Sequence, residues 1–204
     1  RSALFCLCTK PFAIRIKLSV TNRRQNDAYP EPASMSPSLI LVLGLFPLAM
    51  AYAAASDLVS MTISNRLCLA LAGGFAACAM VLGLSLAEIG QHLAAGGLVL
   101  VVAFGLFAAG WIGGGDAKLV AATALWFGFD QLMPYLLFAA IFGGVLTGLI
   151  LMLRARPLPS PAANWGWAQR LHAANQGVPY GIALAFSALF VLPETSIWRA
   201  ALGL

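Results

Sequence analysis

Apolar residues in this chain come in long runs and do not alternate with polar ones. Six runs stand out, at about 38–56, 66–84, 89–110, 116–129, 132–153 and 179–193, each set off by a short polar or glycine-rich stretch. A helix needs about 20 predominantly apolar residues to cross the hydrocarbon core of a bilayer. Four runs have that length, and the fourth and sixth are shorter. The pattern predicts an all-α polytopic membrane bundle of about six transmembrane helices. Each run is rich in Gly and Ala, as in Ala70 to Ala77. Small residues let membrane helices approach closely, so a packed bundle is expected.

The connections carry the rest of the pattern. Residues 57–65 read DLVSMTISN, which is polar for this chain, and 111–115 read WIGGG. Residues 154–178 form the one long connection. Their Pro, Asn and Gly content predicts irregular backbone, with Trp165 and Trp167 suited to the membrane interface. Lys and Arg occur in alternate connections. Arg66 follows the first run, Lys118 the third, and Arg154, Arg156 and Arg170 the fifth; the intervening connections hold Glu88 and Asp130. Basic connections remain on the cytoplasmic side. That places the connections after runs one, three and five in the cytoplasm and both ends of the bundle outside, in a multi-pass membrane protein.

Residues 1–34 do not fit this pattern. They are polar and aperiodic, they begin with Arg1, and Met35 opens the first apolar stretch. They are expected to be a non-native or disordered extension, with a single membrane domain over 35–204. A lipid-touching basic arm is the rival reading.

Composition agrees with the membrane reading. The chain is 61% hydrophobic and 9% charged, against roughly 45–50% and about 25% for soluble domains. Its net charge of +5 is mostly in the first 34 residues, with six basic side chains against two acidic; residues 35–204 have six against five. No basic stripe for nucleic acid is present in the apolar body. The four cysteines form no C-x-x-C pair, and the only histidines are His92 and His172. No metal or other cofactor is expected. Cys68 and Cys78 fall in one apolar run, where a thiol behaves as a small hydrophobe.

Ionisable groups at membrane helices are costly and point to function. Asp57 follows the first run and Asp116 begins the fourth, two crossings later. Parity therefore puts both carboxylates on the same side at similar depth. Two neighbouring carboxyls cannot both ionise cheaply, so such a pair holds one proton. The ionised member can deprotonate water while the protonated member donates to a scissile carbonyl. This is the chemistry of an aspartic protease, and it needs no metal. Gly113-Gly-Gly-Asp116 contains G-x-G-D, and glycines ahead of an aspartate remove bulk that would block an extended peptide.

With these residues the chain resembles the type IV prepilin peptidase family of G-x-G-D membrane proteases. Three stretches carry the resemblance: Asp57 with Ile63-Ser64-Asn65, Gly113 to Leu119, and Val178-Pro-Tyr-Gly-Ile-Ala183. Ser64 stands where the family usually has Pro. The resemblance implies Asp57 and Asp116 as the catalytic pair. It also implies Gly113, Gly115, Lys118, Asn65, Tyr180 and Gly181 as substrate-binding or site-shaping residues. The chain lacks the cysteine-bearing insert of the bifunctional members. It therefore looks like the short, peptidase-only class of tight-adherence (Flp) pili, the TadV/CpaA type, with no methyltransferase activity. The implied substrate is a prepilin or pseudopilin, cut after a short basic leader at the cytoplasmic face.

Plainer roles compete at single residues. Asp57 could be an interfacial helix end, and Asp116 an N-cap. Lys118 could snorkel to lipid headgroups. Asn65 is expected to cap the second helix, and His92 to be a packed or interfacial residue. Asp130 and Glu88 fall on the opposite face by parity. As whole-protein alternatives, a small transporter or channel subunit would use the carboxylates to relay protons or bind a cation, and a non-catalytic pilus assembly factor would not use them chemically.

Overall fold

The computed structural model describes residues 40–157, 164–173 and 176–203. Residues 1–34, for which an extension was expected, lie outside the described residues. The described chain contains seven helices: α1 (Leu41–Ser60), α2 (Asn65–Leu82), α3 (Leu86–Ala108), α4 (Gly114–Arg154), α5 (Gly166–His172), α6 (Tyr180–Val191) and α7 (Ser196–Leu202). A single 3-10 turn, Leu192–Glu194, joins the last two. No strand occurs among the described residues.

Local signals in the sequence explain most of the boundaries. α1 ends where Met61 adopts a left-handed conformation, with its N–H bonded to the carbonyl of Asp57 at 2.8 Å. α2 starts at Ser64, whose Oγ accepts from the Arg66 N–H, and stops at left-handed Gly83. Asn65 therefore does not cap α2 as expected. It is the first helical residue, and Ser64 is the cap because its hydroxyl reaches a free N–H of the first turn. α3 opens with a reciprocal capping box between Ser85 and Glu88. That gives Glu88 a structural role at the end of the bundle where α2 stops.

α1, α2, α3 and α4 are long and apolar enough to cross a membrane, and the bent pair α6–α7 makes five if it is one span. By length and composition alone the expected count of six is therefore not confirmed. The difference lies in 114–154, where the fourth and fifth predicted runs form one helical stretch of 41 residues interrupted at Gly128. Gly128 has φ 59° and ψ −167°, a combination open almost only to glycine. At that break the chain turns back on itself. The rings of Phe127 and Tyr135 are 4.9 Å apart, whereas eight residues of straight helix would separate them by about 12 Å. α4 therefore has two arms, 114–127 and 129–154, which lie side by side. The sequence put the break two residues later, at Asp130. The observed position is set by close packing, because the His92 ring lies against Gly128 and a Cβ there would be 3.0 Å from its Cε1.

The core is aromatic and lies where α1, α2 and the first arm of α4 meet. Trp126 is fully buried, stacks obliquely on Phe46 at 5.0 Å, and donates its indole N–H to the Leu71 carbonyl at 3.0 Å. His92 is packed, as expected of it. It is buried, with Nδ1 2.7 Å from the Leu125 carbonyl. Large apolar side chains such as Leu69, Met80, Val101, Phe104 and Met152 point outward from every long helix. Such a surface is stable against lipid and would be an association hazard in water. α6 packs against α1 and α4, and this brings the start of α6 beside the end of α1.

Candidate active site

Asp57 lies in the last turn of α1, inside the helix and not beyond it as the apolar run alone suggested. The residue is 5% exposed. Its Oδ2 accepts a 2.7 Å hydrogen bond from the main-chain N–H of Gly181, the second residue of α6. That donor is one of the free N–H groups at a helix start, where the backbone dipole also favours a negative charge.

Asp116 is the third residue of α4, and the helix cap is Gly113. Its carboxylate folds back over the helix start, with Oδ2 3.0 Å from where a Cβ on Gly113 would stand. Asp57 is close enough for the two carboxylates to repel one another. The structure thus brings together two acids that are 59 positions apart in sequence, from the end of one long helix and the start of another.

Three glycines permit this approach. A Cβ on Gly181 would stand 2.8 Å from Oδ2 of Asp57 and 3.0 Å from its Cβ and Cγ. A Cβ on Gly113 would stand 3.0 Å from Oδ2 of Asp116. A Cβ on Gly115 would stand 3.2 Å from the Cβ of Ile63 and 3.3 Å from its backbone nitrogen. Ile63 is buried, so Gly115 lets the connection after α1 lie directly on the start of α4. These contacts explain why glycine suits positions 113, 115 and 181.

Beside Asp116 is a cavity of about 590 Å³. Its walls are apolar and come from α3, the connection after it, both arms of α4 and α6, including Val102, Ile112, Leu132, Leu136 and Leu184. Tyr180 also lines it, and its hydroxyl is 3.1 Å from Oγ1 of Thr147. Among the described residues, Asp116 is the only ionisable acid or base in the lining apart from the tyrosine phenol. Trp111 and Met133 at the cavity are well exposed, so it opens to the apolar outer surface of the bundle.

Lys118 and Asn65 do not line this cavity. Lys118 donates through Nζ to Oδ1 of Asn65 at 2.9 Å. The pair lies at a second cavity of about 610 Å³ between α2, α3 and α4. Their contact ties the start of α2 to the start of α4, two residues past Asp116. Asp130 follows the reversal at Gly128, at the other end of the first arm of α4 from Asp116. Among the described residues no group of three or more His, Cys, Asp or Glu side chains could hold a metal ion.

Two features near the pair escaped the sequence reading. Tyr135 is completely buried on the second arm of α4, beside Thr123. Thr147 backs the Tyr180 phenol. Neither is flagged by hydropathy. Only the reversal at Gly128 brings residues 132–147 back alongside 116–123.

A helical membrane protein with two carboxylates at one end of the bundle, one of them lining an apolar cavity, is the class that fold and site define. Residues 44–148, just over half of the chain, match the type IV leader peptidase family, and the chain belongs to that family. The match takes in both Asp57 and Asp116 and ends before Tyr180 and Gly181. No curated protein and no solved structure matches the chain.

Proposed function

We propose that this membrane peptidase is an aspartic endopeptidase with Asp57 and Asp116 as its catalytic pair. The observation that carries the reading is that these two carboxylates, from separate helices, lie within electrostatic reach at one end of the bundle, with Asp116 lining an apolar cavity. In the working state the pair shares one proton. The ionised carboxylate takes a proton from a water held between the two groups. The resulting hydroxide attacks the scissile carbonyl, while the protonated carboxyl donates to the carbonyl oxygen. The proton is then passed to the leaving amine, and the pair returns to its starting state. Gly181 supplies a fixed N–H to Asp57, Gly113 leaves room for the Asp116 carboxylate, Gly115 lets Ile63 pack on the start of α4, and Tyr180 borders the cavity. Asn65 and Lys118 brace the helix starts around it.

The substrate is a prepilin or pseudopilin with a short basic leader. The apolar cavity at Asp116 suits the hydrophobic segment that follows the cut. The site faces the cytoplasm, because Arg66, Lys118, Arg154 and Arg170 are at the same end of the bundle as the pair. The same resemblance supports a peptidase without methyltransferase activity, of the short tight-adherence pilus class.

Asn substitution of each aspartate tests the reading, with a prepilin co-expressed and leader removal followed by gel shift. Asp57→Asn and Asp116→Asn should each abolish cleavage at normal protein levels. The double variant should be no worse than either single, because one catalytic unit fails as a whole. Asp130→Asn should cleave normally. Near-normal cleavage by either dyad variant would remove the aspartic assignment.

A further inference from the structure

Arg154 ends α4, yet its guanidinium does not cap the carbonyls of its own helix. It reaches across to the segment that precedes α6. Nε donates to the Leu171 carbonyl at 2.8 Å, and Nη2 donates to the carbonyls of Gln176 and Gly177 at 3.1 and 3.0 Å. One planar fork therefore holds both the end of α5 and the strand of chain leading into α6. Beyond Gly177 there is little slack. The Tyr180 N–H bonds the Val178 carbonyl at 2.8 Å, and Pro179 is buried with φ −72°, a torsion its ring locks. The next donor along the chain is the Gly181 N–H, which holds Oδ2 of Asp57.

A second arginine ties α5 to α1. Arg170, in α5, donates to the carbonyl of Val59, two residues past Asp57 in α1. Arg156, by contrast, is exposed, and its side chain makes no hydrogen bond among the described residues.

We propose that Arg154 is a positioning residue for Asp57. It fixes Gly177, and the short proline-containing connection transmits that constraint to the Gly181 N–H that orients the carboxylate. The inference rests on Asp57 being one of the catalytic pair. Arg154 touches neither carboxylate and takes no part in proton transfer.

The test uses the full chain in detergent with a purified prepilin carrying a basic leader ahead of its apolar helix. Turnover, KM and thermal midpoint are measured for wild type, Arg154→Gln, Arg154→Lys and Arg156→Gln. Displacing a reacting group by about 1 Å can cost on the order of 100-fold in rate. Arg154→Gln should therefore lose between about ten- and 100-fold in kcat, with KM unchanged and the protein still folded. Arg154→Lys keeps the charge but not the fork, and should fall between the two. Arg156→Gln should match wild type. Wild-type kcat in Arg154→Gln overturns the proposal. So does a loss confined to KM, or a loss in both Arg154 variants that only follows a fall in folded protein. Wild type that cleaves nothing overturns the proposed function itself, a result distinct from all of these.

Discussion

The main-chain N–H of Gly181 donates a 2.7 Å hydrogen bond to Oδ2 of Asp57, joining the start of α6 to the end of α1 across 124 positions of sequence. No side chain fits between them, since a Cβ at 181 would overlap the carboxylate. Gly181→Ala should therefore displace Asp57 and reduce prepilin cleavage by roughly 100-fold, with normal insertion in the membrane. Gly97→Ala, at a position where a Cβ meets nothing within 4 Å, should cleave like wild type. Leader removal at matched protein levels is the measurement, and a fully active Gly181→Ala would contradict the geometry.

Gly128 makes a different prediction. Its φ of 59° and the His92 ring against it leave no conformation for an L side chain. Gly128→Ala should lower stability by about 1–3 kcal/mol, seen as a lower thermal midpoint in detergent. Activity of the molecules that remain folded should change less than in Gly181→Ala. An unchanged midpoint would mean that the two arms of α4 do not reverse at this residue.

The bond from Lys118 to Asn65 is exposed and separate from the cavity beside Asp116. Such a bond contributes about 0.5–1.5 kcal/mol. Asn65→Ala and Lys118→Met should each cost up to that amount in stability, and the double variant no more than the larger single effect. Turnover should remain close to wild type. A collapse of kcat in Lys118→Met would place this side chain in the chemistry.

Orientation can be read by labelling. Cysteines introduced at Glu88 and Arg156 should be modified from opposite sides of the membrane, with 156 on the cytoplasmic side. The motivation is that Arg66, Lys118, Arg154 and Arg170 share the end of the bundle where α1 and α3 finish, while Glu88 caps the start of α3 at the other end. Labelling of both positions from one side would refute the topology.

The membrane character and the all-helical class were legible in hydropathy alone, because lipid offers no hydrogen bonds and only runs of apolar helix can satisfy the backbone there. The candidate acids were legible as well, since a carboxylate at the end of an apolar run is too costly to be incidental. G-x-G-D marked the approach to Asp116, and the three glycines at 113, 115 and 181 prove to be places where a Cβ would collide. The break in α4 was legible only to within two residues. Hydropathy separates the runs 116–129 and 132–153 at Asp130, whereas the chain reverses at Gly128, where His92 from another helix packs against a residue with no side chain. Asn65 was misjudged as a cap because neighbouring Ser64 could serve equally by composition, and backbone geometry chose between them. The hold of Gly181 on Asp57, the reach of Arg154 to Leu171, Gln176 and Gly177, and the cavity shared by Asp116 and Tyr180 belong to tertiary structure alone. Each joins segments far apart in the chain, and hydrophobic periodicity carries information only about the face a residue shares with its near neighbours.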